Sequence, residues 1–120
     1  MSNFGKVNIL MVLMNKDCVF CKIVAGKIPA KIEKETEDLI VIHDINPKAP
    51  VHLLMIAKKH MSDVREDDGK VWEAFRKMAV ELTKEKSLKG VRIVHNIGKA
   101  AMVKHMHVHF LGEVDEKREV

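Results

Sequence analysis

His105-Met106-His107-Val108-His109-Phe110-Leu111 sets three histidines at i, i+2 and i+4 in a β-prone run. Successive side chains on a strand point to opposite faces, so the three imidazoles share one face, about 6.6 Å from neighbour to neighbour. The other face carries Met106, Val108 and Phe110, which suits a core. Such a strand packs on one side. On the other it offers groups that can bind a metal, take up a proton or attack an electrophile.

Around this strand, expected over Val103 to Leu111, the rest of the chain falls into a regular order. Val91 to Asn96 reads as a strand, preceded by Gly90 as a helix stop. Val71, Phe75, Met78, Ala79 and Leu82 form an apolar stripe of about 100° on one face of a long helix, which Ser62 or Asp63 opens. Two β-rich runs come earlier. Leu39 to His43 is stopped by the turn signal Asp44-Ile45-Asn46-Pro47, and Val51 to Ala57 ends at Lys58-Lys59-His60. Asp17 can cap a short helix over Val19 to Ala25, ended by Gly26. Strands before and after one long helix predict an α+β fold with an antiparallel sheet. Residues 17–112 make one domain. Residues 1–16 are either an extension or an added edge strand through Val7 to Leu13, and the charged tail, 113–120, is expected to fray.

At 120 residues the chain suffices for one core. Its 21 Lys and Arg against 17 Asp and Glu leave a net charge of +4, scattered among acids, and aromatics are only 4%. A nucleic-acid groove concentrates both, so no nucleic-acid partner is expected, while a phosphate-bearing small molecule is compatible. Val7 to Met14 is too short and too interrupted to span a bilayer, and no secretory signal is visible. A cytoplasmic, reducing setting is the expectation, and there Cys18-Val19-Phe20-Cys21 reads as a metal or redox pair.

This spacing lets both thiols reach one zinc ion, with histidines as the complement. A redox pair is the alternative, but no βαβ pattern surrounds it. Three histidines in line cannot surround a metal. A more economical division gives one end of the row to the cysteine pair and the middle to catalysis, since a neutral imidazole held in one tautomer is a competent nucleophile toward phosphorus. His52 alternates with Leu54 and Ile56 and could face the same pocket.

These blocks in order resemble the histidine-triad (HIT) family, closest to its Hint-like nucleotide-binding phosphoramidase branch. The likeness rests on Cys18 to Ile23, Gly26 to Lys31, His43 to His52, Lys58 to His60 and the triad through Gly112. It implies a five-stranded antiparallel sheet with one long and one short helix, two such sheets being joined in a homodimer. It implies hydrolysis at the α-phosphate of a purine nucleotide derivative, with a nucleotide such as AMP as the small-molecule partner. His107 would be the nucleophile, with His109 and His52 around the phosphate. Asp44 matches the ribose-binding acid. Val19, Phe20, Ile42 and Ile45 match the base pocket, Val103 is a further nucleotide-binding position, and Asn96 matches a polar active-site position. Cys18, Cys21, His60 and His105 match a structural zinc site. Rival activities within this resemblance are dinucleoside polyphosphate hydrolysis and nucleotide binding with little turnover. One stretch departs from the family: the loop before the triad, Asn96 to Lys104, is two residues short and carries Met102 where a hydroxyl is usual. Losing one donor to a developing oxyanion typically costs about 100- to 1000-fold in rate.

Overall fold

The structure, a computed structural model, describes residues 17–119. The alternatives for residues 1–16 lie outside the described residues. In chain order the elements are α1 (Val19–Val24), β1 (Ile32–Glu35), β2 (Leu39–His43), β3 (Val51–Ala57), α2 (Lys70–Glu85), β4 (Val91–Val94) and β5 (His107–Gly112). Single 3-10 turns occupy Val64–Glu66 and Gly98–Ala100. The five strands form one antiparallel sheet in the order β1-β2-β3-β5-β4. The expected α+β architecture is present.

Register divides the sheet into two faces. Val41 pairs Met55 and Met55 pairs Val108, while Ile42 pairs Leu54 and Leu54 pairs His109. Alternation therefore sends Leu39, Val41, Leu53, Met55, Val108 and Phe110 to the face covered by α2, where Val71, Phe75, Met78 and Leu82 close the main core. Ile40, Ile42, Leu54 and Ile56 go to the opposite face, where Phe20 of α1 packs on them. The triad histidines belong to this second face.

Several boundaries differ from expectation. The triad strand begins at His107 rather than Val103, because residues 102–105 bend to turn the His105 ring toward the cysteines. In α1 the cap is Cys18 rather than Asp17: its Sγ accepts from the Cys21 amide at 3.3 Å, and the helix ends at Val24. Asp63 caps only a 3-10 turn. The long helix starts at Lys70, where the Asp67 carboxylate takes the Val71 and Trp72 amides at 3.2 and 2.8 Å. It stops at Glu85, well before Gly90, with Ser87 at φ 51° turning the chain. β4 ends at Val94.

Among the described residues, the segment 113–118 is tied back to the sheet and to the loop after β2. Gly90 accepts from Glu113 and Val114, and a Cβ at Gly90 would overlap the Val114 carbonyl oxygen. Farther on, Arg92 Nη1 donates to the Arg118 carbonyl at 2.7 Å, and the Arg118 guanidinium donates to the Lys48 carbonyl. Charge alone suggested solvent. Backbone carbonyls supply the anchorage.

Candidate functional site

Cys18 is the N-cap of α1 and Cys21 lies in its first turn, His60 comes from the segment after β3, and His105 from the bend before β5. Their four ligand atoms lie within 4.8 Å of one another. His60 Nδ1 and His105 Nδ1 are 3.1 Å apart. Cys21 Sγ stands 3.2 Å from His60 Nδ1 and 3.4 Å from His105 Nδ1, and Cys18 Sγ is 3.3 Å from His105 Nδ1. Tetrahedral zinc with its usual bond lengths separates two nitrogens by about 3.3 Å and a nitrogen from a sulfur by about 3.5 Å. The edges match. His105 Nε2 donates to the Ala57 carbonyl at 2.6 Å, which leaves Nδ1 as a bare lone pair facing another nitrogen. Burial also holds the His105 pKa down, at about 4. Two thiols and two converging imidazoles fit a cation with soft and borderline ligands.

Beside this cluster, His107 is buried with its Nδ1 donating to the His105 carbonyl at 2.7 Å. Its lone pair is therefore on Nε2. Burial lowers its pKa, which keeps the ring neutral. Phe20 meets the ring edge-on at 4.9 Å between centroids. The His107 carbonyl accepts from His95 Nδ1 at 2.8 Å, and His95 Nε2 accepts from the Val64 amide at 3.0 Å. His95 thus ties β5 to the 3-10 turn at Val64–Glu66. Its spacing in the sequence carries no sign of this role.

A second chain of tautomers runs through β3. The Lys48 amide donates to His52 Nδ1 at 3.0 Å, so the His52 proton sits on Nε2 and goes to His109 Nδ1, 3.0 Å away. His109 then carries its own proton on Nε2 and is a donor. Its ring lies 5.2 Å from that of His107. Burial lowers the pKa of both His52 and His109. Asp44 Oδ2 stands 3.4 Å from His52 Nε2, while Oδ1 accepts from the Asn46 amide at 2.7 Å.

Phe20, Ile42 and Val103 are brought together in the apolar cluster next to His107. Val19 is 40% exposed at its margin, and Ile45 stands on the turn, fully exposed at 101%. Asn96 joins His52 and His109 around a cavity of about 280 Å³. His43, by contrast, is paired with Glu33 at 2.8 Å. In the shortened loop, Lys104 Nζ donates to the Gly98 and Ala101 carbonyls at 2.6 and 2.5 Å, and Asp63 accepts the Gly98 amide at 3.2 Å. The Arg65 guanidinium beside Asp63 holds its carboxyl well below the usual range. Met102 is 96% exposed.

Residues 17–119 match the family model described as scavenger mRNA decapping enzyme C-term binding. The chain is 38% identical over 96 residues to an uncharacterised HIT-like protein of Methanocaldococcus jannaschii, covering 78% of this chain and 74% of that protein. The chain belongs to the histidine-triad family. A HIT family hydrolase from Clostridium thermocellum superposes with a TM-score of 0.82 at 37% identity, over 89% of this chain and 99% of its own. A zinc-bound histidine triad family protein from Mycobacterium smegmatis superposes with a TM-score of 0.76 at 29% identity, over 85% and 78%. HIT-family hydrolases thus share the fold, and one HIT relative with zinc bound shares it too.

Proposed function

We propose that this HIT protein is a nucleotidyl hydrolase that cleaves at the α-phosphate of purine nucleotide derivatives, of nucleoside phosphoramidate type, through His107. The observation that carries the reading is the 2.7 Å bond from His107 Nδ1 to the His105 carbonyl, which leaves a neutral Nε2 as nucleophile. Nε2 attacks phosphorus, the amine departs with the bonding pair and a proton taken up from solvent, and a nucleotidyl-histidine forms. Water then attacks phosphorus, gives up a proton to solvent, and the P–N bond breaks with its electron pair returning to Nε2. His109 Nε2–H, its direction set through His52 and the Lys48 amide, donates to the phosphate oxygens. The Asp44 carboxylate accepts the ribose hydroxyls. Phe20, Ile42 and Val103, with Val19 and Ile45 at the rim, hold the base, and Asn96 supplies a polar contact.

Cys18, Cys21, His60 and His105 would hold zinc with all four positions filled by protein, so its role is structural. Cys18 and Cys21 form no disulfide with each other, and the setting we propose is a reducing, cytoplasmic one. No helix among the described residues is long and apolar enough to cross a membrane. The reading also takes residues 17–112 as the functional domain, acting as a homodimer.

The test is turnover of adenosine 5′-phosphoramidate by wild type and His107→Ala, with AMP affinity measured on both. Wild-type turnover that drops at least about 1000-fold in the variant is expected; equal turnover would sink the proposal. A second reading, nucleotide binding with slow turnover, is favoured by Met102 and by the commitment of Lys104 to loop carbonyls. Tight AMP binding with little wild-type turnover selects it.

A further inference from the structure

The register of β4 on β5 ends with Val94 opposite His109, two residues short of His107. A backbone carbonyl just beyond the end of a ladder must find its donor elsewhere. For His107 that donor is a side chain: His95 Nδ1–H reaches the His107 carbonyl oxygen at 2.8 Å. The other ring nitrogen, Nε2, accepts from the Val64 amide at 3.0 Å, which fixes the tautomer from the opposite side. The Trp72 ring of α2 packs on the imidazole, 5.5 Å between centroids. Asn96, the next residue, instead lines the cavity with His52 and His109.

The turn that receives His95 has a second arm. Asp63 is buried at its start, with Oδ1 accepting the Arg65 amide at 3.0 Å and Oδ2 the Gly98 amide at 3.2 Å. The Glu66 amide closes on the Asp63 carbonyl at 3.0 Å. All three amides of the turn Val64–Glu66 are therefore engaged, one of them by His95. A single short piece of chain thus supports both the His107 peptide and the loop that leads into the triad. The His107 ring is held separately, by the His105 carbonyl at 2.7 Å and the edge of Phe20. Those contacts set how the ring is turned. His95 sets where the backbone beneath it stands.

We infer that His95 is a positioning residue for nucleotidyl transfer, holding the His107 carbonyl to the Val64–Glu66 turn so that His107 Nε2 stands in line with the phosphorus. The inference rests on the reading of His107 as the nucleophile. His95 acts through the His107 peptide rather than on the reacting atoms. In-line attack is steep in distance, and a misplacement of about 1 Å caused by a residue away from the chemistry can cost about 100-fold in rate. The bond that matters is the one His95 donates. In His95→Asn the side-chain amide nitrogen takes the place of Nδ1 and keeps that donor. In His95→Gln the amide reaches the place of Nε2, where its oxygen serves the Val64 amide and leaves the His107 carbonyl without its partner.

The test measures kcat and KM for adenosine 5′-phosphoramidate, AMP affinity and melting temperature on the full-length protein and both variants. His95→Gln should lose about 100-fold in kcat. Its KM and AMP affinity should stay within about threefold of wild type, because ground-state binding is untouched. His95→Asn should recover to within about tenfold of the wild-type kcat, although each variant gives up one of the same two hydrogen bonds. A structural role alone predicts rates that follow the melting temperatures. Equal loss of kcat in both variants, by misfolding or otherwise, overturns the inference and leaves His107 as nucleophile. Wild-type kcat in His95→Gln does the same. A wild-type protein without turnover overturns the reading of His107 itself, and the role of His95 with it.

Discussion

His105 is the residue on which both halves of the site depend. Its ring offers Nδ1 to the cysteines and His60 and anchors Nε2 on Ala57, and its backbone carbonyl fixes the His107 proton. On the proposed reading, a metal ligand and the acceptor that orients the nucleophile are one residue. Removing Cys18 from the cluster should therefore act at a distance. Cys18→Ala is expected to lose bound zinc and to lower the melting temperature by about 10 °C, roughly 2 kcal/mol for a domain of this size. Metal analysis and calorimetry check this, and a variant with unchanged metal content and melting temperature would show that the cluster holds nothing. At this scale the sequence was informative where spacing implies geometry. Three alternating histidines imply a shared face, and a Cys-x-x-Cys pair implies thiols that converge with histidines, which the structure brings together. His95 and Arg118 were silent, because a side chain aimed at a backbone carbonyl leaves no pattern in the sequence.

The elements show what periodicity captures and what it leaves open. Val71, Phe75, Met78 and Leu82 are buried as their spacing requires, and β2 and β3 occupy the ranges read from their β-branched runs. Ends were harder to read, because several residues near each end could serve as caps. Asp63, the nearer acid, caps a 3-10 turn instead, and its carboxylate is taken by Arg65 and Gly98. The long helix waits for Asp67, which satisfies two of its open amides. Asp67→Ala should destabilise the protein by about 1 kcal/mol, read from urea midpoints. A change below about 0.3 kcal/mol would mean that solvent serves those amides equally well. β1 was named by no run in the sequence, since Ile32 to Glu35 is an edge strand of alternating charge with little apolar signal. The bend at 102–105 was equally hidden. It exists because of where the His105 ring must go, a tertiary demand.

For the whole molecule, the sheet ends in β4, whose outer edge has no strand beside it among the described residues. Ile93 and Val80 are exposed there, and with Ala79, Thr83, Lys84 and Val91 they line a shallow apolar depression of about 330 Å³. Edge strands with exposed apolar residues are templates for pairing, and in the proposed homodimer a second copy of this chain would supply the matching edge. Light scattering should give the mass of two chains for wild type, and that of one for Ile93→Asp. A wild-type monomer would contradict the dimer. One face of the sheet builds the core on α2, and the other carries the cluster of Cys18, Cys21, His60 and His105 together with His107 and His109.

The central claim, that His107 Nε2 attacks phosphorus, is tested most directly by catching the intermediate. Wild-type protein mixed with adenosine 5′-phosphoramidate, quenched under denaturing alkali within milliseconds and digested, should yield one peptide carrying a single adenylyl group on His107. The adduct should be absent from His107→Ala and should decay as AMP appears. Steady AMP release with no adduct on His107, or an adduct on another histidine, would contradict the account.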